Sequence, residues 1–545
     1  MQNINKIYAQ AVTESLLQPD WRWYLLEDKI KNILKTKKLP EFSGQTLPEY
    51  LAHVSPSEFA RWVDILNRIT GPAFKEIIVE AFREKDLGYK IEVLKNLENI
   101  EGEHLVDLME EVAWEQVDVD SIIALTKKFN QNALDFHFLH KVKNRVRELP
   151  LENLLQDSQG EYKNALLWLY AQTKSEKAYN EIIKLREELP EEYFNYLLLI
   201  AGGEKALEEI KGKAPAKFFE NPQEIFMLLE GLDEAGMLSR ITEIVKPEDL
   251  ADGLKFVMAS ILESGGFYRE AEKYFAGLTG FDFPQSLYLK AKLTLHRGKR
   301  EEAREIFLKA LTAFREQLLN QPDFNGGEIE ELYYAGYKDG LLTLEETASF
   351  YADLLEGVLW FYGAVTREEV EPIFREILGV MLPIPVEEVI KELIRRQGVV
   401  VTEKIIALKR VSDPQGLISR RVSRKILPSP LSVDTVLRVF YGESYRLISN
   451  YQEIEKYLQN LKQQQGLLLL NPKLFDLKAL IERFQVEEPE AIVHSYSPLV
   501  NENNPEEYQK LLNYLETVWN DTPNWELFGM SVSELKELSG EKLIN

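Results

Sequence analysis

The sequence predicts a mainly α-helical protein: a solenoid of stacked helical hairpins, then a small module that contains a β-hairpin, then a helical C-terminal region. Apolar residues recur at helical spacing along most of the 545 residues, which predicts amphipathic helices. Within residues 254–314, one helix-turn-helix pattern occurs twice, which predicts stacking. The β-branched run in GVVVTEKIIALKRV predicts strands near residue 400.

Each copy of the pattern has an alanine in its first helix, a glycine at the turn, and an alanine and a phenylalanine in its second helix. These residues are Ala259, Gly266, Ala271 and Phe275 in the first copy and Ala291, Gly298, Ala303 and Phe307 in the second. Equivalent residues lie 32 positions apart, for example 298−266. Because alanine lets a neighbouring helix approach and phenylalanine fills the space beside it, we expect these eight residues to pack hairpins together.

Both copies resemble tetratricopeptide repeats, whose period is about 34 residues. The resemblance implies a solenoid with a concave surface that binds other proteins. The sequence departs from the family pattern at the usual first-helix aromatic position, where Lys255 and Leu287 stand. Two amphipathic hairpins with a chance similarity are the alternative interpretation.

Composition narrows the classes of function. With 65 Lys and Arg against 89 Asp and Glu, the net charge of −24 disfavours a protein whose whole surface binds nucleic acid or an anionic membrane. The absence of cysteine excludes disulfides, thiolate catalysis and cysteine-ligated metal. We expect a cytoplasmic protein, because the N-terminus does not resemble a signal peptide and no run of about 18 apolar residues occurs. No cofactor is expected.

Residues 1–72 are predicted to form a helical N-terminal module. Trp21, Trp23 and Tyr24 belong to an apolar cluster, which indicates core packing rather than an exposed binding surface. Ser55 and Glu58 flank a proline in the pattern of a capping box, so a helix is expected to begin there.

Residues 73–360 form the predicted solenoid. Degenerate copies of the small-then-large pattern occur at Ala178 with Ile182 and at Ala206 with Ile210, 28 residues apart (206−178). A further pair is expected around Gly236. Helical repeats are therefore expected to begin well before the two clear copies.

A histidine pair and an aromatic tract within the predicted solenoid each allow a structural and a functional interpretation. His137 and His140 are spaced like metal ligands, but no further His or Cys lies nearby, so structural histidines are favoured and no metal site is predicted. The aromatic tract of residues 333–362 is expected to be a buried seam with the next domain. An aromatic peptide-binding groove is the alternative for this tract.

Residues 361–428 are predicted to form a winged-helix-like module. A capped helix start at Thr366, a second helix that ends at Gly398 and the hairpin after it give the order helix, helix, hairpin. Between Lys391 and Lys425 there are ten basic residues and three acidic ones, a local charge of +7 (10−3).

Nine of these basic residues are candidate contacts to nucleic acid or to an acidic partner. They are Arg395, Arg396, Lys404, Lys409, Arg410, Arg420, Arg421, Arg424 and Lys425. A basic wing can bind phosphates, but in an acidic protein it can equally dock onto the protein's own acidic residues. The sequence leaves both interpretations open.

Residues 429–545 are predicted to form a helical C-terminal domain, with Leu467 to Leu470 in its core. The pattern from Trp519 to Gly529, together with residues 362–414, resembles a group of uncharacterised bacterial helical-repeat proteins. Many of these proteins end in a cysteine-rich SEC-C metal-binding motif. That motif is absent here, so the resemblance implies neither a zinc site nor a catalytic residue.

Three functions follow as hypotheses. The first is a non-enzymatic protein-interaction scaffold or adaptor that uses a tetratricopeptide-like concave surface to hold an unidentified protein. The second is a nucleic-acid-associated regulator that uses the basic residues between 391 and 425. An enzyme that uses carboxylates and histidine is disfavoured, because no spacing selects a pair among 89 acidic residues.

Overall fold

The computed structural model describes residues 9, 11–14, 16–17, 22–66, 72–97, 103–129, 135–156, 158, 160–211, 222–278, 283–321, 324–464, 472–487, 489–496 and 505–539. Trp21 and the leucines Leu467 to Leu470 lie outside these residues. The described residues are mainly α-helical, which confirms the predicted class. The chain divides into two compact units: unit 1, Met1–Leu17 with Leu26–Asp282, and unit 2, Gln18–Leu25 with Phe283–Asn545. The domain boundaries expected near residues 72, 360 and 428 stay predictions.

Unit 1 is a series of short α-helices joined by turns and single 3-10 turns. Its α-helices are α1 (Leu26–Thr36), α2 (Leu47–His53), α3 (Pro56–Leu66), α4 (Pro72–Arg83), α5 (Leu87–Asn96), α6 (Glu103–Glu110), α7 (Val119–Phe129), α8 (Asp135–Val142), α9 (Leu151–Gln156), α10 (Gly160–Ala171), α11 (Glu176–Lys184), α12 (Glu191–Gly202), α13 (Glu204–Lys211), α14 (Pro222–Glu234), α15 (Asp252–Ser264) and α16 (Tyr268–Ala276). Side-chain caps begin several of them: the Ser55 hydroxyl accepts a hydrogen bond from the backbone N–H of Glu58 at 3.3 Å, as predicted.

The core of unit 1 is clearest around α12, which is buried on almost every side. Such a helix needs neighbours all round it, and α10, α11 and α14 pack against it. Trp168 of α10 donates its indole N–H to the Tyr196 hydroxyl at 2.7 Å, which satisfies a buried donor. The predicted small-then-large residues Ala178, Ile182 and Ala206 are all fully buried.

Unit 2 contains the remaining helices and a small sheet. Its α-helices are α17 (Pro284–His296), α18 (Arg300–Asn320), α19 (Gly327–Lys338), α20 (Leu344–Tyr362), α21 (Val370–Pro372, continued by a π-helical turn Ile373–Ile377), α22 (Val386–Ile394), α23 (Pro414–Arg424), α24 (Val433–Phe440), α25 (Tyr451–Gln464), α26 (Leu477–Phe484), α27 (Pro489–Tyr496), α28 (Pro505–Asp521) and α29 (Val532–Ser539). The strands are β1 (Ala364–Thr366), β2 (Val399–Val401) and β3 (Ile405–Leu408).

Helix α20 is the central element of unit 2. A capping box between Thr343 and Glu346 begins it, and its residues are buried along nearly the whole length. Its aromatic side chains lie inside the unit: Tyr333 of α19 stacks on Phe350 with ring centroids 3.9 Å apart, and Tyr351 is fully buried. Tyr334 and Tyr337 of α19 are half-buried. The buried rings do not line an open aromatic groove, and the seam with a next domain stays a prediction.

The sheet has the strand order β1-β3-β2, with both pairs antiparallel. The predicted hairpin is present, with Val399 opposite Leu408. Strand β1 is not among the predicted elements. Its last residue, Thr366, caps the 3-10 turn Arg367–Glu369, where a helix start was predicted. Helix α22 ends at Ile394, before the predicted Gly398. The backbone N–H groups of the next two residues donate to carbonyls three residues earlier, which tightens the chain into a turn.

Among the described helices, none combines the length and the apolar character needed to cross a bilayer.

Candidate functional site

The repeat-packing residues of the two clear copies lie in one hairpin of each unit. In unit 1, Ala259 of α15 and Ala271 of α16 are fully buried. Phe275 is only half-buried, because its neighbour Tyr274 takes the core position and donates its hydroxyl to the Val245 carbonyl at 2.6 Å. In unit 2, Ala291, Ala303 and Phe307 are all fully buried, as the pattern predicts.

One turn geometry recurs four times, twice in each unit. It closes the α-helical hairpins α15–α16, α17–α18 and α19–α20, whereas after α14 it leads into a 3-10 stretch, Leu238–Glu243, instead of the helical pair expected around Gly236. A glycine in the left-handed region follows the first helix, and the next residue donates its backbone N–H to the carbonyl five positions earlier. The glycines are Gly236, Gly266, Gly298 and Gly340, with φ values of 72°, 81°, 78° and 69°. The hydrogen bonds run from Met237 to Leu232, Phe267 to Leu262, Lys299 to Thr294 and Leu341 to Gly336. This is the Schellman motif, whose left-handed residue is usually glycine.

In unit 2 the large residue of the pattern fits against a small one on the following helix. A Cβ atom on Gly336 of α19 would lie only 2.4 Å from Cζ of Phe307. Phe307 therefore occupies space that any larger residue at Gly336 would need. This is the large-against-small contact by which one helical hairpin fits against the next.

The basic segment, residues 391–425, is largely paired with acidic residues. Arg395 is exposed and contacts Glu345 at 2.8 Å and Glu392 at 2.9 Å. The Arg396 side chain is 17% exposed and lies 2.6 Å from Asp353 and 3.0 Å from Glu356. Three of these four carboxylates lie on α20, outside the basic segment.

Arg421 is part of the core. Its side chain is buried, and its guanidinium donates to the backbone carbonyls of Trp525 at 2.7 Å, of Ala364 at 2.8 Å and of Tyr362. Burial lowers the pKa of Arg421 to about 10. The ring of Phe528 lies 4.4 Å from its guanidinium carbon. Arg421 is therefore not available to an outside partner.

The other residues of α23 and the sheet differ in exposure. Glu526 receives three hydrogen bonds from Arg420, at 2.8, 3.0 and 3.2 Å, and lies 3.7 Å from Arg424. Lys425 is half-buried with a left-handed φ of 58°. Lys404 and Lys409 are exposed, and neither forms an ion pair with any residue that the structure describes.

Arg410 differs from the other arginines because it is half-buried and poorly paired. Its nearest carboxylate, that of Glu482, is 3.8 Å away, and its guanidinium carbon lies 5.3 Å from the centre of a Trp525 ring. Burial lowers the pKa of Arg410. The positive charge of the basic segment is thus mostly compensated within unit 2, with Arg410, Lys404 and Lys409 as the exceptions.

The histidine pair is not part of a metal cluster among the residues described. His140 is exposed, lies 3.6 Å from Glu234 and meets the Trp168 ring edge-on at 5.1 Å. The side chain of His137 lies outside the described residues. Within the described ranges no group of three or more His, Asp or Glu residues could hold a metal ion.

Sequence reasoning missed a buried arginine of unit 2. Arg438 of α24 donates to the carbonyls of Leu318 at 2.6 Å, Gln321 at 3.0 Å and Phe324 at 3.1 Å, and so satisfies acceptors at the end of α18. The available signal was Asp434 four residues earlier, which binds the same guanidinium.

The C-terminal pattern from Trp519 to Gly529 packs against the end of α20. Trp525 donates its indole N–H to the Trp360 carbonyl at 3.1 Å, and a Cβ atom on Gly529 would lie 2.7 Å from the ring of Tyr362. The Tyr362 hydroxyl donates to the Ser429 carbonyl at 2.6 Å. Packing therefore accounts for these residues.

Comparisons of the chain with protein-family models, with curated proteins and with solved structures found no match.

Proposed function

We propose that the chain is a non-enzymatic scaffold or adaptor whose tetratricopeptide-like helical hairpins bind a protein partner. The observation that carries this proposal is the Schellman turn repeated at Gly236, Gly266, Gly298 and Gly340. Hairpins closed by one geometry can be added side by side, and such arrays create extended binding surfaces. The contact of Phe307 with Gly336 supports the same packing mode.

The charge of the chain indicates the kind of partner. The net charge is −24, and the basic segment is mostly paired with the protein's own acids. The hairpin surfaces are therefore expected to favour basic or mixed-charge proteins.

Affinity purification from the native cell with lysine cross-linking tests the scaffold. We expect a small set of partners whose cross-links concentrate on exposed lysines of α17 to α19 in unit 2, namely Lys290, Lys309 and Lys338. An unrelated protein of similar net charge serves as control, since it captures proteins that bind any acidic surface. No partner above this control, or cross-links spread evenly over both units, would contradict the proposal.

A nucleic-acid-associated regulator is the second candidate, favoured by the unpaired Lys404 and Lys409 on the hairpin of the winged-helix-like module. The double variant Lys404→Glu with Lys409→Glu tests it without disturbing the buried Arg396 and Arg421. Because two lysines give few phosphate contacts, we expect weak binding to generic duplex DNA at low salt, and little difference between wild type and variant. Tight, salt-dependent binding that the variant loses would establish the regulator instead.

A further inference from the structure

An open groove of about 820 Å³ lies beside Arg410 in unit 2. One side is formed by α26 and its flanking residues, among them Lys478, Arg483 and Val486. Its described lining combines four basic side chains with three acidic ones, Asp476, Glu482 and Glu487, and with aliphatic ones, of which Val486 remains 49% exposed.

The charges along the groove are unequally paired. Arg483 forms two hydrogen bonds with Glu487, at 2.8 and 2.7 Å. The carboxylate of Asp476 caps α26 by accepting a hydrogen bond from the backbone N–H of Lys478 at 3.0 Å. Arg410 forms no hydrogen bond with any residue that the structure describes, and Glu482 at 3.8 Å is its only ion-pair neighbour among them.

The guanidinium of Arg410 remains open to a ligand from the groove. Its side chain is 27% exposed, and none of its nitrogens is among the described side-chain atoms that are buried without a hydrogen-bond partner. It carries five N–H donors, and the planar fork of these donors matches the two oxygens of a carboxylate. The indole of Trp525 covers one side of Arg410. An acidic group that enters the groove would accept hydrogen bonds from these donors.

We propose that this groove binds an acidic peptide segment of a protein partner, with Arg410 holding a side-chain or C-terminal carboxylate. Lys478, which is exposed and forms no ion pair with the described residues, adds positive charge. Val486 offers an apolar contact to a neighbouring side chain of the peptide. The inference rests on the proposed scaffold function and names one site and one partner chemistry for it.

The lining favours a peptide over nucleic acid. Asp476 and Glu482 both line the groove and would repel the successive phosphates of a strand. Among the lining residues that the structure describes none is aromatic, so these residues offer bases no surface on which to stack. A peptide needs only one carboxylate at Arg410 and can place uncharged residues beside the acids.

Fluorescence anisotropy with the full-length chain tests the groove. The probe is a blocked, fluorescein-labelled hexapeptide of alternating leucine and glutamate. We expect saturable binding that weakens with added salt, and an affinity loss of about tenfold or more in Arg410→Gln, because a charge-assisted pair is lost. Lys478→Gln is expected to weaken binding roughly twofold to fivefold.

Arg424→Gln is the matched control, because it removes the same charge from an exposed arginine that does not line the groove. It is expected to bind the probe like the wild type. Absence of saturable binding, equal binding by Arg410→Gln and wild type, or equal loss in Arg424→Gln would overturn the proposal. Tighter binding of inorganic phosphate or of a thymidine oligonucleotide would also overturn it, and would assign the groove to phosphates. Melting curves of all variants show whether a loss reflects unfolding.

The partner purification separates the two proposals. If the wild type and Arg410→Gln retain the same partner equally, the scaffold stands and the groove inference fails. If the wild type retains no partner, the scaffold fails, whatever the hexapeptide does. Retention by the wild type and loss in Arg410→Gln supports both.

Discussion

Arg421→Met is expected to destabilise unit 2 by about 3–5 kcal/mol, the cost typical of removing one partner of a buried charged network. Methionine can fill most of the arginine volume, but it cannot donate to the carbonyls of Trp525, Ala364 and Tyr362. Those carbonyls belong to the backbone and stay buried. The Trp525 carbonyl keeps a hydrogen bond from the Phe528 backbone N–H at 3.2 Å, whereas the Ala364 and Tyr362 carbonyls lose the donor that Arg421 supplies. Arg421→Lys should recover part of the loss, since an ammonium group can serve some of the acceptors but lacks the planar fork.

Hydrogen exchange read by mass spectrometry suits this prediction, because a chain with two compact units need not unfold in one step. Faster exchange is expected in residues 362–366 and 525–528. The control is Arg424→Met, whose side chain is 60% exposed and whose nearest carboxylate is 3.7 Å away, so its effect should stay below about 1 kcal/mol. Equal effects of the two variants would show that Arg421 does not hold these segments together.

The sequence of the basic segment does not show which of its arginines are buried and which are exposed. Charge and spacing identify a cluster, but the partners of Arg421 lie 57 to 104 residues away in the chain. Arg396 likewise meets acids of α20 that lie 40 (396−356) and 43 (396−353) residues earlier. Whether a basic side chain faces solvent or its own acids depends on these distant contacts. The sequence left both interpretations open for that reason.

The helices were more predictable than the positions where they meet. Helical periodicity, the caps at Ser55 and Thr366 and the turns at Gly266 and Gly298 all follow from local rules. Strand β1 does not, because three residues show too little alternation and its partner β3 lies about 40 residues further on. Periodicity also could not distinguish Tyr274 from Phe275 as the core residue, since adjacent positions both border the buried face.

Glycines inside helices are a second case in which sequence alone was uninformative. Gly253 and Gly357 both interrupt helical patterns and have no local role as turns. In the structure a Cβ atom on Gly253 would meet no atom within 4 Å, whereas one on Gly357 would lie 2.7 Å from both the carbonyl oxygen and Cγ1 of Val436. Gly357 therefore permits the close approach of α20 and α24, and Gly253 serves no comparable contact.

Gly357→Leu is accordingly expected to destabilise unit 2 by about 3 kcal/mol, the upper part of the usual cost of overpacking a core. Leucine forms helices better than glycine, so any loss must come from the contact with α24 and not from the helix itself. Hydrogen exchange should rise in α20 and α24 together, because the side chain separates both helices.

Gly253→Leu is the matched control, with the same change made on the exposed side of α15. It should leave stability unchanged or raise it by up to about 1 kcal/mol through helix propensity. Gly357→Ala should fall between the two, since one methyl group already reaches the Val436 carbonyl. If Gly357→Leu behaves like Gly253→Leu, α20 and α24 do not pack at the distance described. The central position of α20 in unit 2 would then have to be revised.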